Sequence, residues 1–495
     1  NPFDHPDALR RFRIMNTTEE LQQALDYPWD KWTIFLHPEQ RSWVEANQSG
    51  PAKVSGSAGT GKTIVALHRA VFLARQNQDH RVLLTTFSES LANALKTRLL
   101  RLVSCEPKLA ERIDVSSLDA TGEHLYRINC GNFSIADRAK IESLLSQAAA
   151  KTENHKFSMR FLLSEWDDII DSWQLKTLQE YLDVARLGRR TRLPEAQRKV
   201  LWSIFEQVIA ELKSHGLITR SAMFTELAET IKNRTNKPFD HIVVDEAQDM
   251  GIAHMRFFAA MAGGKPNGLF FAGDIGQRIF QQPFSWLALG VDIRGRARTL
   301  KVNYRTSHQI RSQADCLLDP ELVDIDGNSE VRSGTVSVFN GPPPLVKTCK
   351  DQQNEIEMVA DWLAKHLQSG IAPHECGIFV RSEAQLERAV AAVKKAGIAY
   401  KILDAKMQEL SGFLSIGTMH IAKGLEFRAV AVMACDDEVI PLQERIESIG
   451  DEGDLEEFYN TERHLLYVAC TRARDHLMVT GVDPVSEFIQ DLMTS

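Results

Sequence analysis

Short, continuous apolar runs recur along the chain, separated by stretches in which apolar residues return every third or fourth position. One set of runs lies at 81–86, 242–244, 269–272 and 299–302; a second lies at 336–339, 377–380, 429–433 and 476–480. Strands that are apolar throughout are covered on both faces, and their alternation with helices predicts parallel α/β sheets. Two sets meeting near residue 306 predict two α/β lobes with a crevice between them. Far more chain separates the early runs of the first set from its later ones than neighbouring βα units need. The excess reads as helix, because Val200, Leu201, Ile204, Phe205, Val208, Ile209 and Leu212 trace one helical face. The expected division is 1–128 and 237–305 for the first lobe, 129–236 for an α-helical insert within it, and 306–495 for the second lobe.

Composition agrees with several packed domains. The chain has 495 residues, 43% hydrophobic and 25% charged, too long for one core and too apolar for extensive disorder. No stretch reaches membrane-span length, and the N-terminus lacks the apolar centre of a signal peptide. The chain begins with Asn1 rather than Met, which leaves room for a preceding or fused N-terminal module. Seven scattered cysteines without a C-x-x-C, and fifteen histidines without H-E-x-x-H, argue against zinc or iron–sulfur sites and suit a reducing cytoplasm. The net charge of −8 opposes a nucleic-acid partner only mildly, since local charge decides that binding.

Chemistry is concentrated in Gly56, Ser57, Ala58, Gly59, Thr60, Gly61, Lys62 and Thr63, which fit G-x-x-x-x-G-K-[ST] and run into an apolar helical segment. The glycines let backbone N–H groups curl around phosphate oxygens at a helix N-terminus. Lys62 would reach the β- and γ-phosphates, and Thr63 would hold Mg²⁺ through its hydroxyl. Far downstream, the apolar run at 241–244 ends in Asp245 and Glu246. Asp245 would join the Mg²⁺ shell, and Glu246 would orient and deprotonate the attacking water. ATP with Mg²⁺ is the expected pair of ligands.

The order of further motifs makes the chain resemble superfamily 1 helicases of the UvrD/Rep type, over about residues 34 to 480. The box Asp245-Glu246-Ala247-Gln248-Asp249 carries the resemblance, with phosphate loop and later motifs in family order. It implies two RecA-like P-loop lobes and 3′→5′ movement on single-stranded or partly duplex DNA. His37-Pro38-Glu39-Gln40 is similar to the Q motif, so Gln40 would read the adenine edge. Thr86-Phe87-Ser88 resembles the motif that grips single-stranded DNA. Gly273-Asp274-Ile275-Gly276-Gln277 looks like motif III, in which Gln277 senses the γ-phosphate. Val302-Asn303-Tyr304-Arg305-Thr306 resembles motif IV, with Tyr304 stacking on the base and Arg305 facing the γ-phosphate. The stretch 418–427 is similar to motif V and includes Gly424; there His420 faces DNA and Glu426 the nucleotide sugar. Tyr467-Val468-Ala469-Cys470-Thr471-Arg472-Ala473 matches motif VI, making Arg472 a second phosphate-sensing arginine.

Departures from the family pattern shape the rest. Ile64 stands where many relatives carry an arginine, and the aromatic–arginine–glycine–alanine run after Gln277 is absent. Phe280, Phe284 or Trp286 then becomes the candidate base stacker. The segment between Arg305 and Thr418 leaves no room for the large auxiliary insert of UvrD-like relatives, which favours translocation over duplex unwinding. An alternative reading is an ATPase switch acting on a protein partner such as RNA polymerase, a toxin or a nuclease. A basic run (Arg186, Arg189, Arg190, Arg192, Arg198, Lys199) reads equally as a solvated face or a phosphate track.

Overall fold

Six parallel strands form each of two sheets. The computed structural model describes residues 36–493 apart from 105, 153–156, 185–192, 263, 275–276, 278–283, 320, 332–333, 339, 404–411 and 447–451. The first sheet has the order β3-β2-β6-β7-β1-β8, with β1 Ala52–Ser55, β2 Val82–Thr86, β3 Ile113–Ser117, β6 His241–Val244, β7 Leu269–Ala272 and β8 Ala297–Thr299. Every pairing in it is parallel. The second sheet runs β13-β18-β17-β14-β16-β15, again parallel throughout. Its members are β13 Leu345–Cys349, β14 Cys376–Val380, β15 Tyr400–Ile402, β16 Leu414–Thr418, β17 Phe427–Val432 and β18 Ala473–Val482. These are two RecA-like lobes of mixed α/β type.

Each sheet has a hydrophobic cluster on either face. Val54, Leu67, Leu84 and Val243 belong to one side of the first sheet, and Phe224, Ile242, Phe258 and Phe271 to the other. In the second lobe, Val430, Leu466 and Val479 mark one side and Trp362, Ile378 and Ala431 the other. A fifth cluster is built from the insert alone and includes Leu145, Trp166, Tyr181, Leu201, Phe205 and Val208. Trp166 and Trp202 are core residues there, as a helical face with buried aromatics requires. The insert hangs from a two-residue parallel pairing of β4 Ser134–Ile135 with β5 Leu217–Ile218. Helix Arg220–Lys232, inside the stretch assigned to the insert from sequence, instead packs Met223, Phe224 and Leu227 into the first-lobe core. Among the basic run, residues 186, 189, 190 and 192 lie outside the described residues.

Two strand expectations change. The apolar run at 299–302 is split: Leu300 turns inward, so β8 ends at Thr299 and β9 starts at Val302. The run beginning at Val336 does not join the second sheet; β12 Val336–Ser337 pairs with β9 Val302–Asn303 in a small ribbon between the lobes. No helix among the described residues is long and apolar enough to cross a membrane.

Candidate functional site

In the first sheet β6, β7 and β1 are consecutive, so the loops leaving their carboxyl ends converge at one edge, where open parallel sheets place ligands. The loop after β1 is the glycine-rich one. Gly59 and Gly61 adopt φ of +86° and +84°, a region side chains avoid. A Cβ at Gly59 would lie 2.5 Å from Asn303 Oδ1, and one at Gly61 2.6 Å from Gln40 Nε2. Helix Lys62–Gln76 begins on Gly61 with no side-chain cap. A capping oxygen would occupy the N–H groups that an anion needs. Lys62 folds onto its own loop, donating to Gly56 O at 2.6 Å, with Asp274 Oδ2 3.8 Å away.

Two buried amides brace this loop. Gln40 Nε2 donates to Thr60 O at 3.0 Å, while its Oε1 accepts from His37 N at 3.0 Å. Both ends of the amide expected to read adenine are therefore engaged with protein. Asn303 Nδ2 donates to Ala58 O at 2.6 Å, and its Oδ1 accepts from the backbone N–H groups of Arg305 and Thr306. Tyr304 N donates to Gly59 O at 2.9 Å, and the Tyr304 ring lies 6.0 Å from that of His37.

The carboxylates follow β6. The Thr63 hydroxyl donates to Asp245, whose carboxyl is pushed upward by burial first and by the charge of Glu246 second. Glu246 sits at φ +54°, a strained position for a side-chain-bearing residue. Gln248 holds it there: its Nε2 donates to Glu246 Oε2, and its Oε1 accepts from Asp274 N at 3.0 Å. Gln277 Nε2 donates to Asp274 Oδ2 at 2.7 Å.

Groups from the second lobe complete the edge. Arg472 is buried; its Nη2 donates to Gln277 Oε1 at 3.4 Å and its Nε to Val468 O at 2.9 Å. Burial, then the neighbouring charge of Arg305, lowers its pKa to about 10. Arg305 Nη1 lies 3.6 Å from Glu426 Oε2. Lys423 Nζ donates to Asp249 Oδ1 and to Gln277 O, both at 2.7 Å. Asp249 is raised to about 6 by burial, against the lowering charge of Lys423. Gly424, at φ +82°, brings backbone against the first lobe, where a Cβ would meet Leu91 Cδ2 at 2.6 Å.

The residues expected on nucleic acid are placed unevenly. Phe87 is exposed, whereas Thr86 is buried and Ser88 caps helix Glu89–Leu102 by accepting from Leu91 N. Trp286 packs 4.9 Å from Phe271, with Lys53 Nζ 5.4 Å from its ring. The ring expected to stack on a base thus packs against the sheet and is partly buried. Phe280 lies outside the described residues. His420 is half-buried, and burial followed by the charges of Arg381 and Arg445 lowers it to about 4. Gln248, Asp249, Asn303 and Lys423 all lie inside motifs visible in the sequence, yet spacing gave no sign of their partners.

The residues present fit a polyphosphate with Mg²⁺. Ser57 Oγ and Arg305 Nε are buried without hydrogen-bond partners, which is rare for native polar atoms. Glycines line the loop, cations come from both lobes, and Thr63 and Asp245 offer the hard oxygens Mg²⁺ prefers.

Comparison with known proteins gives the same picture. The UvrD/REP helicase N-terminal domain family matches residues 36–282, and the UvrD-like helicase C-terminal domain family matches residues 404–483. The chain is 25% identical to the ATP-dependent DNA helicase UvrD2 of Mycobacterium tuberculosis over 400 residues, covering 74% of this chain and 55% of that protein. A probable DNA helicase of Mycoplasma pneumoniae is 22% identical over 478 residues, covering 90% of this chain and 83% of its own length. The ATP-dependent DNA helicase PcrA of Staphylococcus epidermidis is 24% identical over 402 residues, covering 74% and 51%. The chain thus spans about half the length of UvrD2 and PcrA.

Proposed function

The chain belongs to the UvrD/Rep helicase family, and on that premise we propose that it hydrolyses ATP and steps along single-stranded DNA, 3′→5′, in the cytoplasm. The observation that carries this reading is a continuous line of polar contacts from lobe to lobe. It runs from Arg472 to Gln277 at 3.4 Å, from Gln277 to Asp274 at 2.7 Å, and from Asp274 to Lys62 at 3.8 Å.

Phosphoryl transfer needs positioned charge more than covalent work. Lys62, Arg305 and Arg472 would neutralise the charge that builds on the γ-phosphate, Arg472 only with the lobes together. Thr63 and Asp245 would hold Mg²⁺, which when bound neutralises phosphate oxygens. Glu246, steadied by Gln248, would accept the proton of the attacking water. Loss of the γ-phosphate removes the anion that the two lobes share, so they separate, and repeated closure becomes movement.

The test is steady-state ATP hydrolysis with and without single-stranded DNA, with Lys62→Ala as the blank. Stimulation of roughly tenfold, about 1.4 kcal/mol of barrier, is expected. Turnover indifferent to both DNA and RNA would remove nucleic acid as the coupled ligand.

A further inference from the structure

From Asn303 to Leu345 the chain passes between the lobes three times. It first leaves motif IV, where Asn303 braces the phosphate loop, and enters the second lobe at Ser307, whose N–H donates to Arg474 O at 3.2 Å. Helix His308–Asp315 buries Ile310 and Ala314 in the second-lobe core, and Leu317 joins them. Next comes a hairpin of β10 Glu321–Val323 and β11 Ser329–Val331, which lies against the first lobe. There Lys301 Nζ donates to Val331 O, and β12 follows by pairing with β9. At Leu345 the chain rejoins the second sheet as β13.

Asp326, at the tip of the hairpin, fastens it. The tip is shaped by Asn328 N donating to Asp324 Oδ1 at 2.8 Å and by Gly327 at φ +79°. That turn sets Asp326 against the segment 285–289 of the first lobe, where its Oδ1 accepts from Ser285 Oγ and its Oδ2 from Leu287 N at 3.0 Å. Both Asp326 and Ser285 are half-buried. Apolar burial does little to hold the hairpin, since Val323, Ile325, Val331, Val336 and Val338 are all exposed. A two-stranded hairpin is marginal by itself, so its polar contacts decide where it sits.

The crossings also touch one another. A Cβ at Gly341, in the third, would lie 2.9 Å from Ser307 Cβ in the first, and Gly341 N donates to Gln309 Oε1 at 2.8 Å. Pro342, Pro343 and Pro344 follow, each with φ fixed by its ring. One flexible connection would let the lobes swing in any direction; packed connections, one of them stiff, leave few.

We propose that the hairpin is a strap, fastened to the first lobe by Asp326, that limits how far the lobes open when no nucleotide joins them. The strap rests on the reading of the chain as a motor whose lobes close on ATP. Released, it lets the open states spread, so a smaller fraction of molecules is ready to close. Apparent affinity for ATP then falls by that fraction, while turnover of the closed state is kept.

The experiment measures the distance distribution between spin labels at Lys96→Cys, on helix Glu89–Leu102 of the first lobe, and Asp361→Cys, on helix Gln352–Gln368 of the second, both exposed positions. Cys105, Cys130 and Cys316 are replaced by serine, and the other four cysteines are buried. Wild type, Asp326→Ala, Ser285→Ala and Asp326→Asn are compared with and without a non-hydrolysable ATP analogue, with folding checked by thermal melting. Asp326→Ala, and to a smaller extent Ser285→Ala, should broaden the nucleotide-free distribution, and the analogue should narrow it again. Asp326→Asn keeps an acceptor oxygen and should stay nearer wild type. For Asp326→Ala the KM for ATP is expected to rise roughly three- to tenfold with kcat within about twofold of wild type. A folded Asp326→Ala with the wild-type distribution and KM would overturn the strap while leaving the motor reading intact. Wild-type turnover indifferent to DNA would sink the motor reading, and the distances alone would then judge the strap.

Discussion

Lys423 of the second lobe donates to Asp249 of the first at 2.7 Å, and both side chains are buried. This makes the contact between lobes ionic as well as apolar. It also means that the first lobe keeps a buried carboxylate compensated only while the second lobe is close.

Lys423→Ala therefore leaves Asp249 buried without its cation. Removing one partner of a buried pair costs about 3–5 kcal/mol, and here the cost falls on the joined state of the lobes. The expected result is near-normal binding of a fluorescent ATP analogue with DNA-stimulated turnover reduced at least tenfold. Wild-type turnover in the variant would remove the bridge from the cycle.

Gln248 and Glu246 should separate in their kinetics. Glu246→Gln removes the proton acceptor, so nucleotide should bind and remain unhydrolysed. Gln248→Ala keeps the carboxylate but frees it from its hydrogen bond. A fall in kcat of about 10²-fold with little change in KM is expected, the scale of a misplaced catalytic group. Equal losses in both variants, with KM raised, would mean that Gln248 supports the fold of the loop and not the position of Glu246.

Asn303 is the brace between phosphate loop and motif IV. Asn303→Ala strands the Ala58 carbonyl and two backbone N–H groups in a buried site. Each stranded group costs about 1–3 kcal/mol. Melting temperature and ATP affinity should both fall, and ATP should restore less of the melting temperature than in wild type.

Asp171 gives the insert a pH dependence. Its carboxyl is raised from 3.8 to about 6, chiefly by burial, against hydrogen bonds from Thr219, Ser221 and Gln174. A raised carboxyl means the folded state holds its proton more tightly than the unfolded state does. Its stabilising contribution is present below about pH 4 and is lost as pH rises through about 6. Hydrogen exchange in the segment 159–183 should slow as pH drops from 7 to 5, after correction for the intrinsic rate. Asp171→Asn should remove that difference; its persistence would assign the effect to another group.

The sequence made the nucleotide half of the site legible because that half is local. Gly56 to Thr63 is one uninterrupted loop and helix start, and Asp245 and Glu246 end one apolar strand, so a single stretch states each role. Asn303, Gln248 and Lys423 were opaque because their meaning lies in partners far along the chain: Ala58, Asp274 and Asp249. The packing of Trp286 was opaque for a similar reason. An aromatic near a motif reads as a stacking surface until the sheet beneath it is known, and here Phe271 and Lys53 lie against the ring. The strand run at 336–339 misled because apolarity reports burial potential and not the sheet a strand joins; Val336 and Val338 are in fact exposed.

Strand order also governs how a nascent chain can assemble. β1 carries the glycine loop, yet its neighbours are β7 and β8, so Ala52 must wait for Phe270 and Lys53 for Ala297. The insert, whose hydrophobic cluster needs none of those strands, is complete on leaving the ribosome well before them. Domains tend to fold as units during synthesis, while long-range parallel pairing is slow. The phosphate-binding strand is therefore expected to be among the last parts of the first lobe to be enclosed. Until β7 arrives, both edges of β1 offer their backbone to any passing chain.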